Sequence, residues 1–423
     1  MFGCLFKNKF LYIFVTFIYL VTILYTSRTN ARNQLQKPPD FQKGMCLTTW
    51  EKNRLESPYS DQALEKLKDM GVEYVQVVVT LYQDKYNSTK IKATERTPSD
   101  TSLKHVIKKA HELGLKVMLK PHIDLISKED GTYWRADIGF NKEEDWKKWF
   151  KEYEKLITHY AEMGEKYDVE ILCLGTELSF TTQKPDYWRE IISSVRKIYP
   201  GKLTYAANWD NYKSVGFWDD LDFVGIDAYF PLTYKINPTV EEIKKGWEKW
   251  KCEIESWQSD VNKPIVFTEI GYASSLNAPR EPWRNGSAEP DVEIQARCYS
   301  AFFESIWDCA WLAGVYWWRW APSIYGGGQF NRRFTPMNKP AEKILEEHYL
   351  ADTTKIQPME GVSEYRLIEA ITPEAESRIS DMGMPNLFES NTLLPLLRTK
   401  HELEFRGEWA EKRKEFIRER SKY

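Results

Sequence analysis

Eight short apolar runs, separated by longer amphipathic stretches, constrain the fold of this 423-residue chain more than any other feature. Each run is rich in β-branched and aromatic residues, and most are followed by a charge-flanked stretch with helical spacing. The runs are 43–50, 73–82, 116–125, 169–178, 203–209, 222–232, 264–272 and 314–320. This alternation predicts repeated βα units with a parallel sheet, and eight units predict an α/β protein built as a (β/α)8 TIM barrel.

The ends of the eight runs carry the candidate binding residues, because the chemistry of such barrels sits at the C-terminal ends of the strands. Polar and aromatic side chains recur there. We expect the following to bind substrate: Trp50, His122, Asp124, Asn208, Trp209, Tyr229, Trp318 and Trp320. In the last run, strict alternation puts Trp318 and Trp320 on one face and Trp317 and Arg319 on the other.

Two of the runs, the fourth and the seventh, carry a carboxylate near their C-terminal ends. Glu177 follows Thr176 in "LCLGTEL", and Glu269 follows Thr268 in "VFTEIGY". Taken singly, each is explained equally well as a solvated residue that begins a loop. Together they would face each other across a barrel mouth, and retaining glycosidases need two carboxyl groups about 5 to 5.5 Å apart. We therefore expect Glu177 and Glu269 to be the catalytic pair.

Five motifs extend this expectation to a family. "LCLGTEL", "VFTEIGY", "VMLKPHID", "DFVGIDAYFPL" and "FTPMNKPAEKIL" resemble glycoside hydrolase family 113, and the resemblance covers about residues 41–350. It implies a clan A (β/α)8 glycosidase similar to the β-mannanases. It also implies that Glu177 is the acid/base and Glu269 the nucleophile.

The N-terminus is different in character from the rest of the chain. Residues 10–27 carry no charge, and Lys7, Lys9, Arg28 and Arg32 flank them. This length predicts a signal anchor that spans a membrane, with a cleaved signal peptide as the alternative. The expected localisation is that of a type II single-pass membrane protein of the secretory pathway. The sequons at Asn87 and Asn285 are compatible with a lumenal or extracellular body.

Composition excludes several classes of function. The net charge is −3, from 59 basic and 62 acidic residues, so no global field attracts nucleic acid. The six His form no metalloprotease motif and the six Cys have no zinc-ligand spacing, so we expect no metal and no cofactor. The sequence leaves open whether Cys252 forms a disulfide with Cys298 or Cys309. The 17 Trp, 24 Tyr and 20 Phe are compatible with sugar binding.

The predicted organisation has four parts. A short cytosolic tail and anchor (1–27) is followed by a linker (28–40), the catalytic barrel (41–350) and a C-terminal extension (351–423) that ends in a mixed-charge helix. The leading functional hypothesis is a retaining β-glycosidase acting on β-linked polysaccharide or glycan chains. The alternatives are a non-catalytic, membrane-tethered carbohydrate-binding protein and a transglycosylase that uses the same site.

Overall fold

The computed structural model describes residues 40–127, 133–286 and 289–351, and these residues form one closed barrel. Eight strands follow one another around it in chain order, and every neighbouring pair is parallel. They are β1 (Gln42–Thr48), β2 (Tyr74–Gln83), β3 (Lys116–Leu125), β4 (Ile171–Thr176), β5 (Lys202–Asn208), β6 (Val224–Asp227), β7 (Ile265–Ile270) and β8 (Leu312–Trp320). The predicted (β/α)8 barrel is confirmed.

Seven α-helices accompany the strands within the described residues. They are α1 (Pro58–Asp69), α2 (Asp100–Glu112), α3 (Glu143–Lys166), α4 (Pro185–Arg196), α5 (Val240–Val261), α6 (Val292–Ser305) and α7 (Pro340–Leu350). Between β5 and β6 the chain forms two short 3₁₀ turns, Tyr212–Ser214 and Trp218–Asp220, instead of an α-helix. Side-chain oxygens of Ser57, Ser99, Thr239 and Asp291 cap α1, α2, α5 and α6, so local sequence sets where these helices begin.

The barrel has two apolar layers, one outside the sheet and one inside it. The outer layer is the large core between strands and helices. The inner layer is small and includes Cys46, Met118, Cys173, Val266 and Tyr316. Side chains of consecutive strand residues alternate between the two layers, as a pleated strand requires. We call the C-terminal end of the barrel, above the inner layer, the mouth.

The alternation fails at one point of β8. In the pairing with β1, Trp317 lies opposite Met45 and Trp320 lies opposite Leu47, so three residues of β8 span the space of two on β1. The peptide between Trp318 and Arg319, inside this shift, is cis. An extra residue in one strand reverses the face of every residue beyond it. Trp320 therefore faces the outer layer, as Trp317 does.

The type II membrane localisation is corrected by the fold. Among residues 40–127, 133–286 and 289–351, no helix is both long and apolar enough to cross a bilayer. The segment on which that prediction rested, residues 10–27, lies outside the described residues, as does the linker up to residue 39.

The C-terminal extension, apart from Ala351, also lies outside the described residues, and so does the mixed-charge helix predicted at its end. The five described cysteines are free thiols, including Cys252, Cys298 and Cys309. Neither disulfide that the sequence left open is therefore present in the structure.

Candidate active site

Glu177 occupies the mouth because the end of β4 departs from regular strand geometry. The pairing of β4 with β5 shifts between Cys173 and Thr176, where Gly175 lies against the outer core; a Cβ there would meet two aromatic rings within 3 Å. Glu177 then has a left-handed backbone with φ +54°, and its N–H donates to the carbonyl of Ala206. A non-glycine residue in this region costs about 1–2 kcal/mol, and such strain is characteristic of functional sites.

The Glu177 side chain is buried and has one cationic partner. Arg135, from a short turn after β3, holds its Nη1 3.4 Å from Glu177 Oε2. Burial first, and then the negative charges of Asp227 and Glu269, raise the pKa of Glu177 to about 8 against the opposing charge of Arg135. At neutral pH this carboxyl group is therefore protonated and is able to donate a proton.

Glu269, on β7, differs from Glu177 in that two strong hydrogen-bond donors hold its carboxylate. Lys120 Nζ lies 2.6 Å from Glu269 Oε1, and the Tyr229 hydroxyl donates to Oε2 at 2.7 Å. An ammonium group and a phenol both donate to this carboxylate, so its two oxygens are held in fixed directions. Glu269 is 4% exposed, so these protein groups, rather than bulk water, set its orientation.

Asp227, at the end of β6, contacts the same Lys120 ammonium group as Glu269 does. Lys120 Nζ is 3.1 Å from Asp227 Oδ1, and the Thr268 hydroxyl donates to the same oxygen at 2.8 Å. Burial and the charge of Glu269 raise the pKa of Asp227 to about 7, against the opposing effects of Lys120 and Thr268. Burial alone lowers the pKa of Lys120, but the two carboxylates outweigh it, so the pKa is raised and Lys120 stays an ammonium ion.

His122 lies between the two predicted catalytic carboxylates. Burial and the charges of Arg135 and Lys120 hold the pKa of His122 well below its usual value, so the ring is neutral. Arg135 Nη1 is 3.2 Å from His122 Nδ1 and donates to it, which leaves the ring proton on Nε2. That nitrogen is 3.6 Å from Glu269 Oε1. Three side-chain contacts, Glu177 to Arg135, Arg135 to His122 and His122 to Glu269, therefore connect the two carboxyl groups across the mouth.

The other predicted binding residues divide between the mouth and its rim. Trp318 is half-buried in the mouth, and its ring lies parallel to His122 with centroids 6.1 Å apart. Trp50 is half-buried beneath the Arg319 guanidinium, 4.6 Å from its ring centroid. Trp209 lies further out and stacks on the exposed Trp283 at 5.6 Å. Asn208 is buried at the end of β5, and Asp124 is half-buried and accepts from the Leu125 N–H.

Trp320 is separated from these residues, contrary to the expected pairing with Trp318. It is fully buried in the outer layer, where Lys66 Nζ of α1 lies 5.4 Å from its ring centroid. The extra residue in β8 is the cause, because it turns Trp320 toward the outer layer and Arg319 toward the inside of the barrel. Arg319, which the alternation had placed outside, instead reaches the mouth and donates to Thr48 Oγ1 at 2.9 Å.

Four residues of the mouth were not among the sequence candidates: Lys120, Asp227, Arg135 and Arg319. Lys120 had a usable signal, since a charged residue in the middle of an apolar strand has to be paired or functional. Asp227 stands near the end of a strand and had a similar signal. Arg135 belongs to a loop, and nothing in its local sequence marks it.

The predicted glycosylation sites are both on the surface: Asn87 and Asn285 are exposed. Within the part of the chain that the structure describes, no group of three His, Cys, Asp or Glu side chains is placed to hold a metal ion. The mouth therefore offers one protonated carboxyl, one carboxylate held by two donors, and an aromatic ring beside them. Such an arrangement is able to donate a proton to a leaving group and to attack an electrophilic carbon.

Comparisons with known proteins agree with this geometry. The model of Glycoside Hydrolase Family 113 matches residues 47–339. The comparison with curated protein sequences gives no match. Two solved structures of a GH113 β-1,4-mannanase, one of them a complex, are 27% identical to the chain with a TM-score of 0.67; the alignments cover 74% of this chain and 99% of theirs.

A third solved structure is the GH113 β-mannanase AaManA from Alicyclobacillus acidocaldarius in complex with ManMIm. It is 26% identical with a TM-score of 0.66, and the alignment covers 73% of this chain and 97% of that one. Since the family model spans more than half of the sequence, the chain belongs to glycoside hydrolase family 113.

Proposed function

We propose that the protein is a retaining β-glycosidase that hydrolyses β-1,4-linked mannan or a related β-linked glycan by double displacement. The observation that carries the proposal is the contrast between two carboxyl groups in one mouth. Burial and neighbouring negative charge keep Glu177 protonated at neutral pH, whereas Lys120 and Tyr229 donate to Glu269. This contrast assigns two different roles to two like groups.

In the first step Glu269 attacks the anomeric carbon while Glu177 donates its proton to the departing glycosidic oxygen. The Tyr229 hydroxyl and Lys120 hold the attacking carboxylate in position through both of its oxygens. Departure of the sugar leaves a glycosyl ester on Glu269 and an ionised Glu177. In the second step Glu177 takes a proton from water, and that water opens the ester with net retention of configuration.

The half-buried face of Trp318 gives this site a flat apolar surface beside the reacting groups. An aromatic face of this kind packs against the C–H groups of a sugar ring, and Trp50 and Trp209 extend such surface toward the rim. The substrate assignment rests on the similarity to three solved structures of GH113 β-mannanases.

The proposal is tested by incubating the full-length protein with β-1,4-mannotetraose and following the products by proton NMR from the first minutes. We expect shorter mannosides whose new reducing ends appear first as the β-anomer and mutarotate afterwards. Products longer than the tetramer would assign transglycosylation to the same site. Tight binding without any cleavage would identify a carbohydrate-binding protein instead, and initial α-anomers would exclude retention.

A further inference from the structure

Three cationic side chains reach the mouth, and they differ in whether a carboxyl group lies within ion-pair distance of them. Lys120 is paired with Asp227 and Glu269, and Arg135 is paired with Glu177. Arg319 has no carboxylate within ion-pair distance among the described residues. It contacts the Thr48 hydroxyl, at 2.9 Å, and the face of Trp50, at 4.6 Å.

Arg319 lies on the inner side of the barrel, among residues of the mouth. Thr48 ends β1 and, alternating with Leu47 of the outer layer, faces the inside of the barrel. The Arg319 guanidinium therefore lies inside the mouth. Trp318, its neighbour in β8, lies parallel to His122 with ring centroids 6.1 Å apart. The unpaired cation is consequently close to the proposed site of bond cleavage.

A second cation, Arg333, is on the same side of the mouth, because the next residue, Phe334, packs on Tyr229 with ring centroids 6.1 Å apart. Burial first, and then the positive charge of Arg333, lower the pKa of Arg319 to about 10, against the opposing effect of Tyr229. Arg333 is exposed on the loop between β8 and α7, and no described carboxylate lies within ion-pair distance of it either. A half-buried guanidinium group with a second positive charge near it is unfavourable without a counter-charge.

A bound anion removes this cost. The Arg319 guanidinium has five N–H donors in a planar fork that matches the two oxygens of a carboxylate, and the Thr48 contact accounts for only one nitrogen. A neutral hexose presents only hydroxyl groups to it and leaves the charge uncompensated. We propose that Arg319, assisted by Arg333, forms a subsite for the carboxylate of a hexuronate unit in the β-linked substrate. This inference rests on the proposed function and specifies its substrate class.

The test compares two tetrasaccharides that differ only at C6: β-1,4-mannotetraose and β-1,4-linked tetramannuronate. Binding is measured by calorimetry at pH 6.5 and low salt with the full-length Glu177→Gln variant, which keeps this group uncharged and slows cleavage. We expect the uronate to bind at least tenfold tighter than the neutral sugar, with a preference that weakens as salt is raised. Equal or weaker binding of the uronate overturns the proposal.

Further substitutions in the same background locate the preference. Arg319→Gln should abolish it by weakening uronate binding at least tenfold more than binding of the neutral tetramer, Arg319→Lys should retain part of it, and Arg333→Gln should reduce it. The matched control is Arg332→Gln, which removes an equal charge from an exposed neighbour and should leave the preference intact. A preference that survives Arg319→Gln, or that falls equally in the Arg332 variant, reflects overall charge and refutes the subsite.

Hydrolysis of the same two sugars by the wild-type protein separates this inference from the proposed function. Selective binding of the uronate with cleavage of neither sugar would refute the glycosidase proposal and leave the anion subsite standing. Cleavage of mannotetraose without selective binding of the uronate would refute the subsite and leave the glycosidase proposal standing.

Discussion

Replacing Trp320 by Ala should lower the stability of the barrel and leave catalysis unchanged. Replacing Trp318 by Ala should reduce catalysis and change stability much less. Trp320 is fully buried in the outer layer, and truncating a buried Trp to Ala costs about 3–5 kcal/mol through lost burial and the cavity left behind. For a domain of this size, that loss lowers Tm by about 5–8 °C. Trp318 is half-buried in the mouth, so its removal leaves a smaller cavity.

The two effects are read by thermal unfolding and by kcat/KM on mannotetraose. For Trp318→Ala we expect kcat/KM to fall at least tenfold, which corresponds to about 1.4 kcal/mol of transition-state binding, with a much smaller change in Tm. Trp317→Ala is the matched control, because Trp317 is also fully buried and stacks on Tyr299 at 3.8 Å. It should behave like the Trp320 variant. If Trp320→Ala reduced kcat/KM tenfold and left Tm within 2 °C, the assignment of faces in β8 would be refuted.

Two further predictions concern the carboxyl groups. Glu177→Gln should lower turnover of mannotetraose by about 10²–10⁴, because the general acid is lost. The same variant should barely slow the glycosylation step with a dinitrophenyl mannoside, because that leaving group needs no proton. Equal losses on both substrates in pre-steady-state assays would contradict the role of Glu177 as general acid. The activity of the wild-type protein should decline as pH rises through about 8, where Glu177 loses its proton. Asp227→Asn should move this alkaline limb to lower pH, because it removes a negative neighbour of Glu177. Arg135→Gln should move the limb to higher pH, because it removes a positive neighbour. If both variants shifted the pH profile of kcat/KM in the same direction, the assignment of the limb to Glu177 would be refuted.

The sequence was sufficient for the architecture because the barrel obeys regular periodicity. Each predicted run overlaps one observed strand, and the two carboxylates at the ends of β4 and β7 do reach one mouth. Most, but not all, of the runs were followed by a stretch with helical spacing, and between β5 and β6 the structure has two 3₁₀ turns instead of an α-helix. Apolar spacing therefore identified the strands and most of the connections between them.

The sequence was insufficient where strands depart from their period of two. The shift in β8 moves Trp320 out of the mouth and brings Arg319 into it, and no pattern of residue types announces an extra residue in a strand. Arg135 was missed for a different reason, because it reaches Glu177 from a loop whose path depends on tertiary packing. Features of the site that depend on register and on loops thus required the structure.

The central claim, that Glu269 is the nucleophile of a covalent mechanism, is tested most directly by trapping the intermediate. The full-length protein is treated with a 2-deoxy-2-fluoro β-mannoside bearing a dinitrophenyl leaving group, digested, and mapped by mass spectrometry. The account predicts one fluoroglycosyl group per molecule, on the peptide that contains Glu269, and no labelling of the Glu269→Gln variant. Stoichiometric labelling of any other carboxylate, or full turnover by the Glu269→Gln variant, would contradict it.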